Sequence, residues 1–330
     1  LSHNILSIVV CFLAAATLQA QNPKVDSLLR HGDALRSQYR FDESLDTYYE
    51  ALDIAEDSVY MLTDSLLRHK VNDRILLSEN GKSMAGYADK PVVIAKHKFH
   101  IDDFFLYYPL PDKSWRPTPN QLDTVPATWH SKAIYAPENA WEIYFSGQDA
   151  DGIRNIYMTE KEDTIWTYPA LLNENLTSAS NEIYPMLSPD GKSLYFASEG
   201  LYGVGGFDLY VSHWDYENSE WGAPVNLGFP YSSPADDFLF VNTPDGEHTL
   251  FASNRDCSAD SVWVYVLEFD NMPVRHAVED PEELMTLSKL DPASATERIS
   301  FSSPVLRLTS HSPSSSGQTF STSGSCPCPA

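Results

Sequence analysis

An α+β chain of more than one domain is what this sequence predicts: an N-terminal helical hairpin followed by an all-β propeller whose ring is either small or incomplete. Three observations carry that expectation. Apolar residues recur at helical spacing up to about residue 89. Short β-type runs replace them from about Lys90. A Pro-Asp-Gly turn then returns at a fixed interval, at Asp190-Gly191 and again 55 residues on at Asp245-Gly246.

Residues 1–20 read as a secretory signal. Ile5 to Leu18 is apolar but short for a bilayer span, and cleavage is expected near Ala20. After its removal no direct membrane insertion is expected. From there the residues Leu28, Leu29, Gly32 and Leu35, then Leu45, Tyr48, Tyr49, Ala51 and Leu52, fall at helical spacing in two runs. Between them SQYRFDES breaks the pattern and offers Asp42 as an N-cap. More helix is expected to pack on this pair, because so small a unit cannot bury both its faces. The next stretch supplies it, with Asn80-Gly81 as its stop. On Gly32, Phe41, Ser44, Tyr48 and Ala51 the segment resembles a tetratricopeptide repeat, departing from it at Glu56, where that repeat carries Pro. The resemblance implies a peptide-binding groove; a helical cap or spacer is the other reading.

Beyond Lys90 more landmarks share the interval. Trp166 returns as Trp221, Pro169 as Pro224 and Glu182 as Asp237, each 55 residues on. A more worn copy runs through Trp141 to Gly147, with Trp115 standing 51 residues before Trp166, and a worn fourth copy closes near Pro273. Each unit reads as four short strands in a meander. Gly supplies the positive φ of the tight turn, and Asp caps its free amides. In SLYFAS alternation puts Leu194 and Phe196 on one face and Tyr195 on the other. Four-stranded units with a period near fifty suggest propeller blades, and three or four copies make either a small ring or one that needs a partner to close.

The stretch PMLSPDGKSLYFAS resembles the repeat of TolB-type, WD-like β-propellers, over about Val92 to Pro273. With a signal and a tetratricopeptide-like segment, the chain is similar to bacterial cell-envelope proteins, some of which continue into an OmpA-like peptidoglycan-binding domain. The resemblance implies a place in the periplasm or at the outer membrane, with cell-envelope proteins as partners and peptidoglycan as a further one. PEELMTLSKL reads as one short helix, and the Ser-rich stretch from Asp291 as disordered. The expected boundaries are therefore 1–20 signal, 22–89 helical domain, 90–273 propeller and 274–330 short helix and tail.

No catalytic, cofactor-binding or metal residue is expected. A formal charge of −24 repels phosphate backbones and argues against nucleic acid as a partner. Cys257, Cys326 and Cys328 remain once the signal with Cys11 is gone, an odd number and no disulfide framework; Cys326-Pro-Cys328 is too tight for a zinc half-site. The glycines of YGVGGFDLY lie between strands, not ahead of a helix, so a hairpin is expected there, with Asp208 as a turn cap aligned with Asn155. His97 and His100 face opposite sides of a strand, and His130, His213 and His248 are scattered. Asp149 to Gly152 lacks the further carboxylates of a calcium loop. No Gly-x-Ser-x-Gly elbow occurs. Trp115, Trp166 and Trp221 are expected to pack between blades. Together these features point to a non-enzymatic interaction scaffold, and the resemblance implies a part in an envelope assembly or secretion complex. The alternatives are a propeller enzyme, a polysaccharide lyase or hydrolase working through clustered His or carboxylates, and a glycan- or peptidoglycan-binding module.

Overall fold

The computed structural model describes residues 23–56, 64–110, 114–117, 133–163 and 165–292. The expected signal, His130, Cys326, Cys328 and nearly all of the Ser-rich tail lie outside the described residues.

Among the described residues three helices come first: α1 (Pro23–Ser37), α2 (Phe41–Glu56) and α3 (Asp64–Met84). Their apolar faces share a core of Val25, Leu29, Leu45, Tyr48, Ala51, Val71 and Ile75. At Gly32 a Cβ atom would lie 2.3 Å from the Tyr48 ring, so the first two helices meet where only a hydrogen fits. Two local expectations are corrected here. Helix α2 starts at Phe41, so Asp42 is not its N-cap but sits in the first turn, where the helix dipole favours a carboxylate; its oxygen lies 2.5 Å from Lys82 Nζ. Asn80-Gly81 does not stop α3, which runs on to Met84. Tertiary contact outweighs the weak helix preference of both residues. Gly81 packs so closely under the Phe41 ring that a Cβ would lie 2.3 Å from it, and the Asn80 side chain is buried against the Gly203 carbonyl.

The strands begin with β1 (Tyr87–Ala88) and β2 (Val93–His100), followed by the antiparallel pair β3 (Trp115–Pro117) and β4 (Ala133–Tyr135). A first sheet comprises β5 (Glu142–Gln148) and β6 (Arg154–Glu162), with β7 (Ile165–Trp166) and β8 (Ala170–Leu171) both paired to β6. A second comprises β9 (Glu182–Leu187), β10 (Ser193–Ser198) and β11 (Asp208–Asp215), with β12 (Glu220–Trp221) and β13 (Val225–Asn226) on β11. A third runs β14 (Asp237–Asn242), β15 (His248–Ser253), β16 (Ser261–Glu268) and then β2. The last elements are β17 (His276–Ala277), paired with β1, and α4 (Pro281–Ser288).

The third sheet carries a correction. Its fourth strand is not supplied by the stretch leading to Pro273; it is β2, which precedes all the repeats and pairs from Ser261↔His100 to Leu267↔Val93.

The three sheets stack face to face, with β9 packed against β5 on one side and β14 on the other. Between the first and second lie Ile156, Leu176, Leu194, Phe196, Tyr210 and Trp221. Between the second and third lie Ile183, Leu209, Phe238 and Phe251, with Phe104 edge-on to both Tyr184 and Phe238. The alternation of SLYFAS is as expected: Leu194 and Phe196 face the first sheet, and Tyr195 meets Phe240 at 4.5 Å. Strands β9 and β14 share a feature that the sequence pattern does not display. Tyr184 and Leu239, 55 residues apart, both adopt positive φ, 52° and 51°, where the ladders shift register. The resulting bulge lets successive residues of one strand be buried on both faces. The two Pro-Asp-Gly turns also match. Gly191 and Gly246 have φ of 69° and 70°, and Asp190 and Asp245 accept from the amides two residues on.

The helices lie against the loops at one end of the second and third sheets. Tyr39 and Phe41 share a buried cluster with Ala88, Val204, Phe229 and Leu284. Helix α4 is capped by Asp280, whose carboxylate accepts from the Glu282 amide at 2.9 Å, with Pro281 as its first residue. Among the described residues no helix is long and apolar enough to cross a membrane.

Candidate docking surface

The repeat places the same residue type in neighbouring sheets, so each copy measures what its surroundings do. Trp221 follows β11 and is 2% exposed, its ring edge-on to Tyr144 of the preceding sheet at 6.0 Å. Trp166 holds the same place one copy earlier and is 38% exposed. Beyond the first sheet lies the two-stranded pair β3–β4, whose Ile134 packs with Ile143 and Phe145, and it leaves the Trp166 indole partly open. Trp115 takes a third course, packed between Phe105 and Tyr135 with ring centroids at 5.1 and 5.5 Å. Burial between sheets is therefore met by Trp221, while Trp166 is the exception.

Around Trp166 is a groove of about 630 Å³, a size suited to a bound side chain or small ligand. Ile134, Ile143, Phe145, Trp166 and Tyr168 give its apolar lining, and Arg116 and Lys161 supply positive charge. Tyr168 is 92% exposed. Alternation along β6 turns Thr159 and Lys161 toward the groove and Glu160 and Glu162 to the other side. Lys161 Nζ lies 5.9 Å from the Trp166 ring centroid. Glu138 also borders the groove, leaving one net positive charge among its lining residues in a chain of net −24.

Buried carboxyls form a second layer of chemistry, away from the groove. Glu182 accepts from the Ser178 and Ser198 hydroxyls at 2.6 and 2.8 Å, and its other oxygen has no partner. Burial pushes its carboxyl up to about 7, against the two serines, which draw it down. Asp208 accepts from the Val204 and Gly205 amides, each at 3.0 Å. Burial raises it to about 8, the neighbouring Asp237 adding to that while the two amides oppose it. The turn-cap expectation for Asp208 thus holds in kind. The clue that sequence reasoning passed over was an acid following a glycine run that has no helix to cap. Asp237 is ion-paired with Arg255, whose guanidinium also donates to the Pro230, Tyr231 and Ser288 carbonyls.

Among the described residues the histidines do not converge. His97 and His100 lie on opposite faces of β2, His213 bonds Ser193 at 3.0 Å, and His248 is buried at the start of β15. Asp245, Glu247 and His248 have ligand-type atoms within 4.8 Å of one another, and Asp245 is engaged in its own turn. Asp149 likewise serves its hairpin, accepting from the Asp151 and Ile153 amides at 2.9 Å. Cys257 is a half-buried free thiol.

No protein-family model matches the chain, and no curated protein matches it. Among solved structures it is similar to a TolB candidate from Agrobacterium tumefaciens, with 21% identity and a TM-score of 0.26 over 40% of this chain and 43% of that one. It is also similar to a thermostable family-43 glycoside hydrolase, with 11% identity and a TM-score of 0.26 over 46% of this chain and 76% of that one. The chain spans less than half the length of the first of these.

Proposed function

We propose that the chain is an incomplete TolB-type β-propeller, capped by tetratricopeptide-like helices, that works as a non-enzymatic scaffold in the periplasm or at the outer membrane. Its partner is an envelope protein that docks on the outer face of the first sheet. One observation carries the reading: Trp166 stands exposed where its repeat counterpart Trp221 is buried by a neighbouring sheet. The partner chemistry follows from that contrast. It presents a β-sheet face with an aromatic residue, as Tyr144 does for Trp221, and a carboxylate to meet Arg116 and Lys161.

The test places a photo-crosslinking residue at Tyr168 of the full chain in its native envelope. One envelope protein should be captured, with the crosslinked peptide mapping to an acidic, aromatic strand, and Trp166→Ala should abolish the capture. Trp166→Ala should cost the folded chain less than about 1 kcal/mol, against about 3–5 kcal/mol for Trp221→Ala. Capture that survives Trp166→Ala, or equal destabilisation by the two substitutions, would overturn the docking reading.

A further inference from the structure

The helices grip the sheets through a loop that is itself held by one carboxyl group. Between β10 and β11 the carbonyls of Gly203 and Val204 face α3 and α1. Arg36 Nη1 donates to the Val204 carbonyl at 2.6 Å, and Asn80 Nδ2 to the Gly203 carbonyl at 2.8 Å. The amides of the same loop point the other way, and Asp208 Oδ2 accepts from both Val204 and Gly205. A Cβ atom on Gly203 would lie 2.3 Å from that oxygen, so the loop lies directly on the carboxyl. The Val204 side chain, 0% exposed, is packed in the cluster that joins helices and sheets.

Asp208 takes both amides on Oδ2, and the Ser232 hydroxyl beside it also draws the carboxyl down. Oδ1 is buried with no hydrogen-bond partner. An ionised carboxylate without a cation or a full set of donors is costly in such a place. The surroundings supply no compensating charge. Asp237 on β14 is a second acid, and its own cation, Arg255, is bound to it. Tyr210 on β11 and Glu182 on β9 are acids as well, and Tyr210 is raised by burial first and by both carboxyls after it. Arg36 of α1 is turned to the Val204 carbonyl. A neutral carboxyl suits this site, since Oδ2 still accepts both amides and Oδ1 carries the proton.

We propose that Asp208 is a proton-operated latch: while neutral it holds the Gly203–Gly205 loop in the shape that Arg36 and Asn80 clasp, and its ionisation frees the loop and loosens the helices from the sheets. The direction follows from burial, which raises the carboxyl to about 8, so the latch is closed at neutral pH and opens as pH rises past that value. The device is independent of what binds the groove.

Hydrogen exchange of the full chain, corrected for intrinsic rates and compared at about pH 6.5 and about pH 9.5, tests it. In the unmodified protein, protection of the 203–205 amides and of α1 and α3 should fall at least about tenfold at the higher pH. In Asp208→Asn, which keeps an acceptor but cannot ionise, the fall should be under about twofold. Equal losses in both proteins overturn the latch. Should the Asn variant fail to fold, carboxyl ¹³C titration of Asp208 in the unmodified chain decides: a midpoint near about 8 supports the proposal, and one near the ordinary value of about 4 ends it.

Discussion

In the second sheet Glu182 opens β9 and accepts hydrogen bonds from Ser178 and Ser198. In the third sheet Asp237 opens β14, 55 residues later, and is bonded by Ser233 at 2.7 Å and by Ser253. The serines stand at the same interval, so the repeat reproduces the acceptor and both of its hydroxyl donors. What differs is the residue two positions beyond the second serine. In the third sheet it is Arg255, which lies against Asp237; in the second it is Gly200, packed so tightly on Ser178 that no side chain fits. The same carboxyl position thus holds an ion pair in one sheet and an unpaired acid in the other. Burial raises both carboxyls, and only Asp237 has a guanidinium pulling it back. The repeat conserves the place of the acid within the chain and leaves its charge to a single neighbouring residue.

The largest test of that contrast is Arg255→Met. It strands the Asp237 carboxylate in the interior and leaves the Pro230, Tyr231 and Ser288 carbonyls without their donor. A loss of about 3–5 kcal/mol in urea unfolding is expected. A loss below about 1 kcal/mol would mean that the pair contributes little beyond its packing.

Glu182→Gln should act oppositely and depend on pH. The folded carboxyl sits near 7, above its ordinary value of 4.5, so the native state holds a proton that the unfolded chain has released. Stability therefore falls as pH rises from about 4.5 through about 7. Removing the ionisable group should flatten this slope and leave the variant about 1–3 kcal/mol more stable than the parent at about pH 8.5. Parallel pH–stability curves for the two proteins would refute it.

The smallest effect is expected where the two copies agree. Gly191→Ala and Gly246→Ala each place a Cβ in open space but at φ near +70°. Each should cost about 1 kcal/mol, and the two costs should be equal within about 0.5 kcal/mol. Unequal costs would show that the turns, like the carboxyls, have diverged.

What could be read in advance was what short stretches of chain decide for themselves. The Pro-Asp-Gly turns, the faces of Leu194, Tyr195 and Phe196, and the short helix α4 each depend on residues within a few positions. What could not be read depends on distant partners. Strand β2 carries no mark that it belongs to β16, since that ladder joins opposite ends of the repeat region. Asn80-Gly81 has the composition of a helix end, and only Gly203 and Phe41, remote in sequence, keep the helix going. Trp166 and Trp221 are indistinguishable by spacing; what separates them is that Trp221 is covered by the first sheet and Trp166 borders only the short pair β3–β4. The groove was hidden for the same reason, because its apolar lining comes from β4, β5 and β7 and its cations from β3 and β6.

The strand that completes the third sheet also bears on how the chain would respond to being pulled. Val93, where β2 begins, lies opposite Leu267, close to where β16 ends, and Tyr87 likewise faces Ala277 in the pair β1–β17. Tension applied to the two flanks of the chain would act at one and the same end of each ladder. The bonds would then give way singly, like a zipper, instead of resisting together in shear. Held at both flanks, such a domain would peel open from this seam under modest force, while the second sheet, built from a contiguous stretch of chain, kept its form.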